Sequence, residues 1–112
     1  MGRVVPVPSV FQAIADPTRR QLLEMLGSGD RTVGELADAF DVTLSAISQH
    51  LRVLRLAGLV SEERQGRQRV YRLRPESLGE VHEWVTRSVE AFWRRRLTNL
   101  GDELKKEQPD ET

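Results

Sequence analysis

The 112-residue chain contains no cysteine, which removes disulfides, thiolate metal sites, cysteine redox sensing and cysteine nucleophiles in one step. No apolar run approaches the roughly 18 residues that a membrane span needs. A membrane partner is therefore not expected. Nor is a signal peptide, because Met1 to Pro8 is short, carries one Arg and is broken by Pro6 and Pro8; the expected location is the cytoplasm. A phosphate-cradling glycine loop, a nucleophile elbow and a His–carboxylate pair at ligand spacing are all missing, which argues against an enzyme and implies no cofactor. Internal repeats and low-complexity blocks are absent as well. Net charge is nil, 17 basic residues against 17 acidic, a balance that ordinarily speaks against a nucleic-acid partner.

That zero hides a segregation. Residues 1–42 carry four Arg and six acids, residues 43–74 seven Arg and two acids, and residues 75–112 six basic and nine acidic side chains, so the three parts stand at −2, +5 and −3. A neutral protein with one basic face can still bind a polyanion by displacing its counterions, while the acidic remainder discourages indiscriminate binding.

The basic part lies within the run TVGELADAFDVTLSAISQHLRVLRLAGLVSEERQGRQRVYRLR, Thr32 to Arg74. Thr32 with Glu35 three residues on forms a capping box for a short helix, Val33 to Phe40, with Leu36 and Phe40 on one face. Asp41 and Val42 interrupt it, Asp being tolerant of left-handed backbone, and Thr43 caps a second helix with Ile47, Leu51 and Leu54 on its apolar face. Two capped helices joined by about three residues predict a helix-turn-helix. On the second helix Ser45, Ser48, Gln49 and Arg52 lie opposite the apolar face, and Ala46 is small enough for close approach. Gln can pair bidentately with adenine, Ser can bond a base edge or a phosphate, and Ala can meet a thymine methyl. A solvated polar face would look similar, so the next segment matters. After Gly58, two extended runs, Leu59 to Arg64 and Gln68 to Arg74, flank Gln65, Gly66 and Arg67, with Arg64, Arg67 and Arg69 at the tip of the hairpin. Such a wing can carry guanidinium groups to phosphates or into a minor groove.

The rest reads as helix. Val10, Phe11 and Ile14 mark a short first helix, and Asp16 with Pro17 starts a second that buries Leu22, Leu23 and Leu26. Arg19 and Arg20 at its start are expected in surface ion pairs with Asp16 or Glu24, with a phosphate contact as the rival reading. After Pro75 a long amphipathic helix carries Val81, Val85, Val89, Phe92, Leu97, Leu100 and Leu104, widened by Trp84, Ala91 and Trp93. So much apolar surface calls for a cover, and a second copy of the chain is the simplest. The expected interface comprises Val5, Val7 and Phe11 from the N-terminal segment with Val81, Trp84, Val85, Phe92 and Trp93 from the last helix. The expectation is one domain over residues 1–104 and a frayed tail over 105–112.

The run IADPTRRQLLEML and, after it, the frames SxHLxxLxxAGLV at Ser48 to Val60 and RxGRxxxYxL at Arg64 to Leu73 resemble the ArsR/SmtB family of winged helix-turn-helix repressors over residues 10 to about 100. The resemblance implies a mainly α fold of about five helices with a two-stranded wing, a homodimer joined through its first and last helices, and double-stranded DNA as partner. It also implies an inverted-repeat operator, often in the promoter of the repressor's own gene. Ser45, Ala46, Ser48, Gln49 and His50 match the base-facing positions, and Arg64, Arg67 and Arg69 match the wing; Thr43 and Arg52 complete the expected DNA contacts.

Many relatives of this kind release DNA when a metal binds cysteines, or histidines and acids on the last helix. Here cysteine is absent and His82 stands with only Glu80 and Glu83 beside it, short of the roughly four ligands of a zinc site. FWRRRL, Phe92 to Leu97, resembles the last helix of metal-free branches. No metal site is expected, and no inducer is named by the residues. The competing reading is a winged-helix protein-interaction module that does not touch DNA, which would have no need of three arginines on its wing.

Overall fold

The computed structural model describes residues 7–107, with side chains to residue 101. Its elements are α1 (Val10–Ala13), α2 (Pro17–Gly27), β1 (Arg31–Thr32), α3 (Val33–Asp38), α4 (Leu44–Leu56), β2 (Val60–Gln65), β3 (Gln68–Leu73), a single 3-10 turn (Pro75–Leu78) and α5 (Gly79–Glu107). Two compact units are distinguished, one up to Val81 and one from His82 onward.

Local chemistry starts each helix of the first unit. Ser9 and Gln12 make a capping box on α1, Asp16 accepts from the Arg19 backbone N–H ahead of Pro17, Thr32 and Glu35 make the capping box of α3, and Thr43 accepts from the Ala46 N–H. These caps satisfy backbone donors that would otherwise lack partners at each helix start. The turn between α3 and α4 spans residues 39–43 and uses no left-handed residue, so the tolerance of Asp41 for that conformation is not drawn on. Arg19 and Arg20 also differ from expectation. Arg19 donates to the carbonyls of Ala13 (2.6 Å) and Gln12 (3.0 Å), and Arg20 to that of Ile14 (2.7 Å). Both arginines thus serve the open carbonyl end of α1, where cations are favoured, instead of forming the expected carboxylate pairs.

At the end of α4 Gly58 adopts φ +79°, which frees the chain to turn back. The Gly58 N–H donates to Arg55 and the Leu59 N–H to Leu54, a Schellman closure whose flanking leucines, Leu54 and Leu59, are both fully buried. Ser77 Oγ donates to the Gly58 carbonyl at 2.7 Å. A side chain at this glycine would bring its Cβ to 3.2 Å of Ser77 Oγ.

The sheet has three antiparallel strands in the order β1-β3-β2, one more than the hairpin expected from sequence. The extra strand is two residues long, pairing Arg31 with Tyr71 and Thr32 with Val70, too short to show any alternation. In the hairpin, Gln65 pairs with Gln68 across Gly66 (φ +64°) and Arg67, the glycine-first pattern of a II′ turn. Arg72 on β3 donates through Nε and Nη2 to Asp30 Oδ2 at 3.0 and 2.9 Å, just before β1.

One core joins these pieces. Leu22, Leu36, Ile47, Leu51, Leu54 and Leu59 are fully buried, with Val10, Ala13, Leu23, Leu26, Val60 and Tyr71 nearly so. Each large aliphatic among them contributes about 1.5–3 kcal/mol by leaving water. Val81 packs partly buried against this cluster.

Candidate nucleic-acid interface

The apolar side of α4 is consumed by the core at Ile47, Leu51 and Leu54, so helical geometry turns the remaining side outward. Ser45, Ser48, Gln49 and Arg52 come together there. They line one wall of an open cleft of about 240 Å³, whose other residues are Arg55 near the end of α4 and Glu62, Arg69 and Tyr71 on the wing strands. The register explains the second wall: Glu62 faces Tyr71 and Arg64 faces Arg69 across the β2–β3 ladder, so these side chains share a face with Val60 and Leu73.

Glu62 organises the wing side. Tyr71 Oη donates to Glu62 Oε2 at 3.0 Å, Arg69 Nε stands 3.6 Å from Oε1 and Arg55 Nε 3.9 Å from Oε2. Burial first, then the hydrogen bond to Glu62 and its negative charge, push the Tyr71 phenol above its ordinary value, which keeps it protonated as a donor. Neither Glu62 nor Arg55 stood out in the sequence. The available signal was that Glu62 is one of only two acids between residues 43 and 74 and sits, by period-2 alternation, on the same strand face as Val60.

The three wing arginines are not equivalent. Arg69 lines the cleft; Arg67, in the turn, lines a second groove of about 410 Å³ with Thr32, Val33, Gly34, Gln68 and Arg69; Arg64 is exposed and lines neither. Thr43 and Ala46 lie at the start of α4 outside the cleft wall, with the Thr43 hydroxyl engaged at 3.1 Å as the helix cap.

Residues 16–62 match the family described as bacterial regulatory protein, arsR family. Over 100 residues the chain is 40% identical to the HTH-type transcriptional regulator Rv2034 of Mycobacterium tuberculosis, covering 89% of this chain and 90% of that protein. It is 39% identical to the transcriptional repressor SdpR of Bacillus subtilis, over 69% of this chain and 86% of the relative. This chain belongs to the arsR family. A solution structure titled the homodimeric winged helix-turn-helix DNA-binding domain of Mb0332 from Mycobacterium bovis, a possible ArsR-family regulator, superposes with a TM-score of 0.59 at 31% identity, covering 72% of this chain and 75% of that one. Membership makes the protein a transcriptional regulator with a winged helix-turn-helix fold, not an enzyme.

In this arsR chain His50 stands apart from its neighbours on α4. Its Nδ1 lies 3.4 Å from Arg19 Nη1 and 3.9 Å from Asp16 Oδ2, so the ring leans on the start of α2 and is half-buried there. The Asp16 carboxyl is held below its ordinary value, chiefly by the backbone N–H of Arg19, with the charges of His50 and Arg19 adding to it. His50, which the resemblance assigns to a base-facing position, thus also ties α4 to α2.

The interface candidates divide similarly. Trp84, Val85, Phe92 and Trp93 keep between 42% and 54% of their surface on α5, joined by Val89, Leu97 and Leu100. Phe92 and Trp93 meet edge to face at 5.7 Å, and Arg96 lies 4.9 Å over the Phe92 ring. Val7 is exposed and Phe11 is half-buried, and Val81 packs partly buried against the chain's own core. Val5 and the tail from residue 108 lie outside the described residues, and α5 itself continues to Glu107. Among the described residues no three of His, Asp and Glu gather as metal ligands, and no helix is long and apolar enough to cross a membrane. His82 is exposed.

Proposed function

We propose that this arsR-family regulator is a homodimeric repressor that reads an inverted-repeat operator in double-stranded DNA, acting in the cytoplasm. The α4 cleft carries the reading. Ser45, Ser48 and Gln49 supply base-edge donors and acceptors, and Arg52, Arg55 and Arg69 supply charge beside them. Arg67 at the wing turn and the exposed Arg64 reach phosphates or the adjacent minor groove, Ala46 meets a thymine methyl, and Thr43 adds a contact at the start of α4. Two copies joined through α5 present two such helices to half-sites one turn apart. The half-exposed aromatics of α5 favour that joint, since a patch of this kind is seldom left to water.

The test is titration of the purified full chain against the duplex upstream of its own gene and against a scrambled duplex of equal length, at rising salt. Preference for the upstream duplex, with log affinity falling linearly against log salt, supports the repressor. Equal or absent binding to both at low salt would overturn it in favour of an interaction module.

A further inference from the structure

Segment 43–74 holds seven arginines and two acids, and the strand register sends those acids to opposite faces. Glu63 pairs with Val70 on one face; Glu62 pairs with Tyr71 on the face that lines the α4 cleft. A carboxylate in the middle of a surface proposed to meet phosphates is, on charge alone, in the wrong place. It is also held there: the Tyr71 hydroxyl fixes one oxygen at 3.0 Å, and Tyr71 is itself nearly buried in the core. Arg69 and Arg55 approach at 3.6 and 3.9 Å, beyond hydrogen-bond distance, with side chains 61% and 47% exposed. At such distances and exposure an ion pair offers little stability, so support of the fold, which the Tyr71 bond to Glu62 does supply, does not account for the two arginines beside it. What it does is offset part of the charge of two arginines while leaving both free to turn toward another anion.

We propose that Glu62 is an acidic counterweight in the DNA face: it offsets Arg55 and Arg69 so that phosphate attraction alone does not hold the protein on arbitrary sequence, leaving base contacts from α4 to decide where it stays. This rests on the DNA-binding reading above. Non-specific affinity is a counterion-release effect and grows with the number of phosphates neutralised, whereas base recognition does not. A fixed carboxylate beside two phosphate-seeking arginines therefore weakens the first more than the second. Tyr71 serves as the positioning residue, keeping the carboxylate on the cleft side.

The experiment compares wild type, Glu62→Gln and Glu62→Asp, each first shown by circular dichroism and thermal melting to be folded. Fluorescence anisotropy then follows binding to the upstream duplex and to a scrambled duplex across a salt series. Glu62→Gln is expected to bind scrambled duplex about five- to tenfold more tightly near 0.1 M salt and to steepen the log–log salt slope by about one ion. Affinity for the upstream duplex should rise less, so the specificity ratio falls; Glu62→Asp, which keeps the charge, should stay near wild type. Unchanged or weaker scrambled-duplex binding by Glu62→Gln overturns the proposal, as does equal behaviour of the Gln and Asp variants. So does loss of upstream affinity traceable to one base pair, which would make Glu62 a base reader. If wild type binds neither duplex, the underlying DNA-binding reading fails as well, and that result is distinct from the others.

Discussion

Leu51, in the middle of α4, has no exposed surface, whereas Trp93, in the middle of α5, keeps 54% of its own. Both sit on amphipathic helices and both belong to an apolar stripe. In the unit ending at Val81 those stripes find partners within the same chain, on α1, α2, α3, α4 and the sheet. On α5 they run on through Val85, Val89, Phe92, Trp93, Leu97 and Leu100 at 42–62% exposure. A helix keeps its large aromatics half in water only at a cost, and the contrast separates residues that build this chain's core from residues that, in the proposed homodimer, would meet a second copy.

Leu51→Ala should have the largest effect, lowering unfolding stability by about 2–5 kcal/mol in denaturant titration, because the side chain leaves a cavity in a closed core. A loss below 1 kcal/mol would mean that this core is looser than its burial implies. Trp93→Ala should leave the unfolding of the winged unit almost untouched while weakening self-association by about 2–4 kcal/mol in sedimentation equilibrium, the size typical of a central interface aromatic. An unaltered association constant would remove the assembly role from α5. Within the α4 cleft, Gln49→Ala should cost about 1–3 kcal/mol on the upstream duplex and relax one base preference, while Arg67→Ala should weaken all duplexes alike and reduce the salt slope by about one. The reverse pattern would exchange the roles of helix and wing.

The smallest expected effect concerns pH. The carboxyl of Asp16 sits below its ordinary 3.8 in the folded chain, mainly through the Arg19 backbone N–H. Its contribution is thus present above that ordinary value and is lost as pH falls through the lowered folded value. Acidification from about pH 5 to pH 3 should lower the melting temperature of wild type slightly more than that of Asp16→Asn, which still caps α2 but does not titrate. Parallel melting curves for the two proteins would show that the cap acts without its charge.

Features governed by residues a few positions apart were legible in the chain itself: the caps at Asp16, Thr32 and Thr43, the capping-box partner Glu35, the glycines at 58 and 66, and the buried Ile47, Leu51 and Leu54 all follow from spacing. What escaped depends on residues far apart in sequence. Strand β1 exists because Arg31 meets Tyr71 forty residues on, and a two-residue strand has no period to detect. The contacts of His50 with Asp16 and Arg19 on another helix likewise come from the fold alone. Glu62 has nothing in its own neighbourhood to mark it, and only the hairpin register sets it against Tyr71. Arg19 and Arg20 had acids close by in sequence, and the fold offered them nearer carbonyls at the end of α1.

The Schellman closure at Gly58 has a mechanical consequence. Hydrogen bonds from Gly58 to Arg55 and from Leu59 to Leu54 fasten the root of the wing to the last turn of α4, and the Arg74 N–H returns to the Leu59 carbonyl at 2.7 Å to fasten the other end of the hairpin at the same point. Helix and wing are therefore fastened at one point, beside a glycine that leaves little room for a side chain, so in the proposed homodimer each reading helix would meet the duplex with its wing already set.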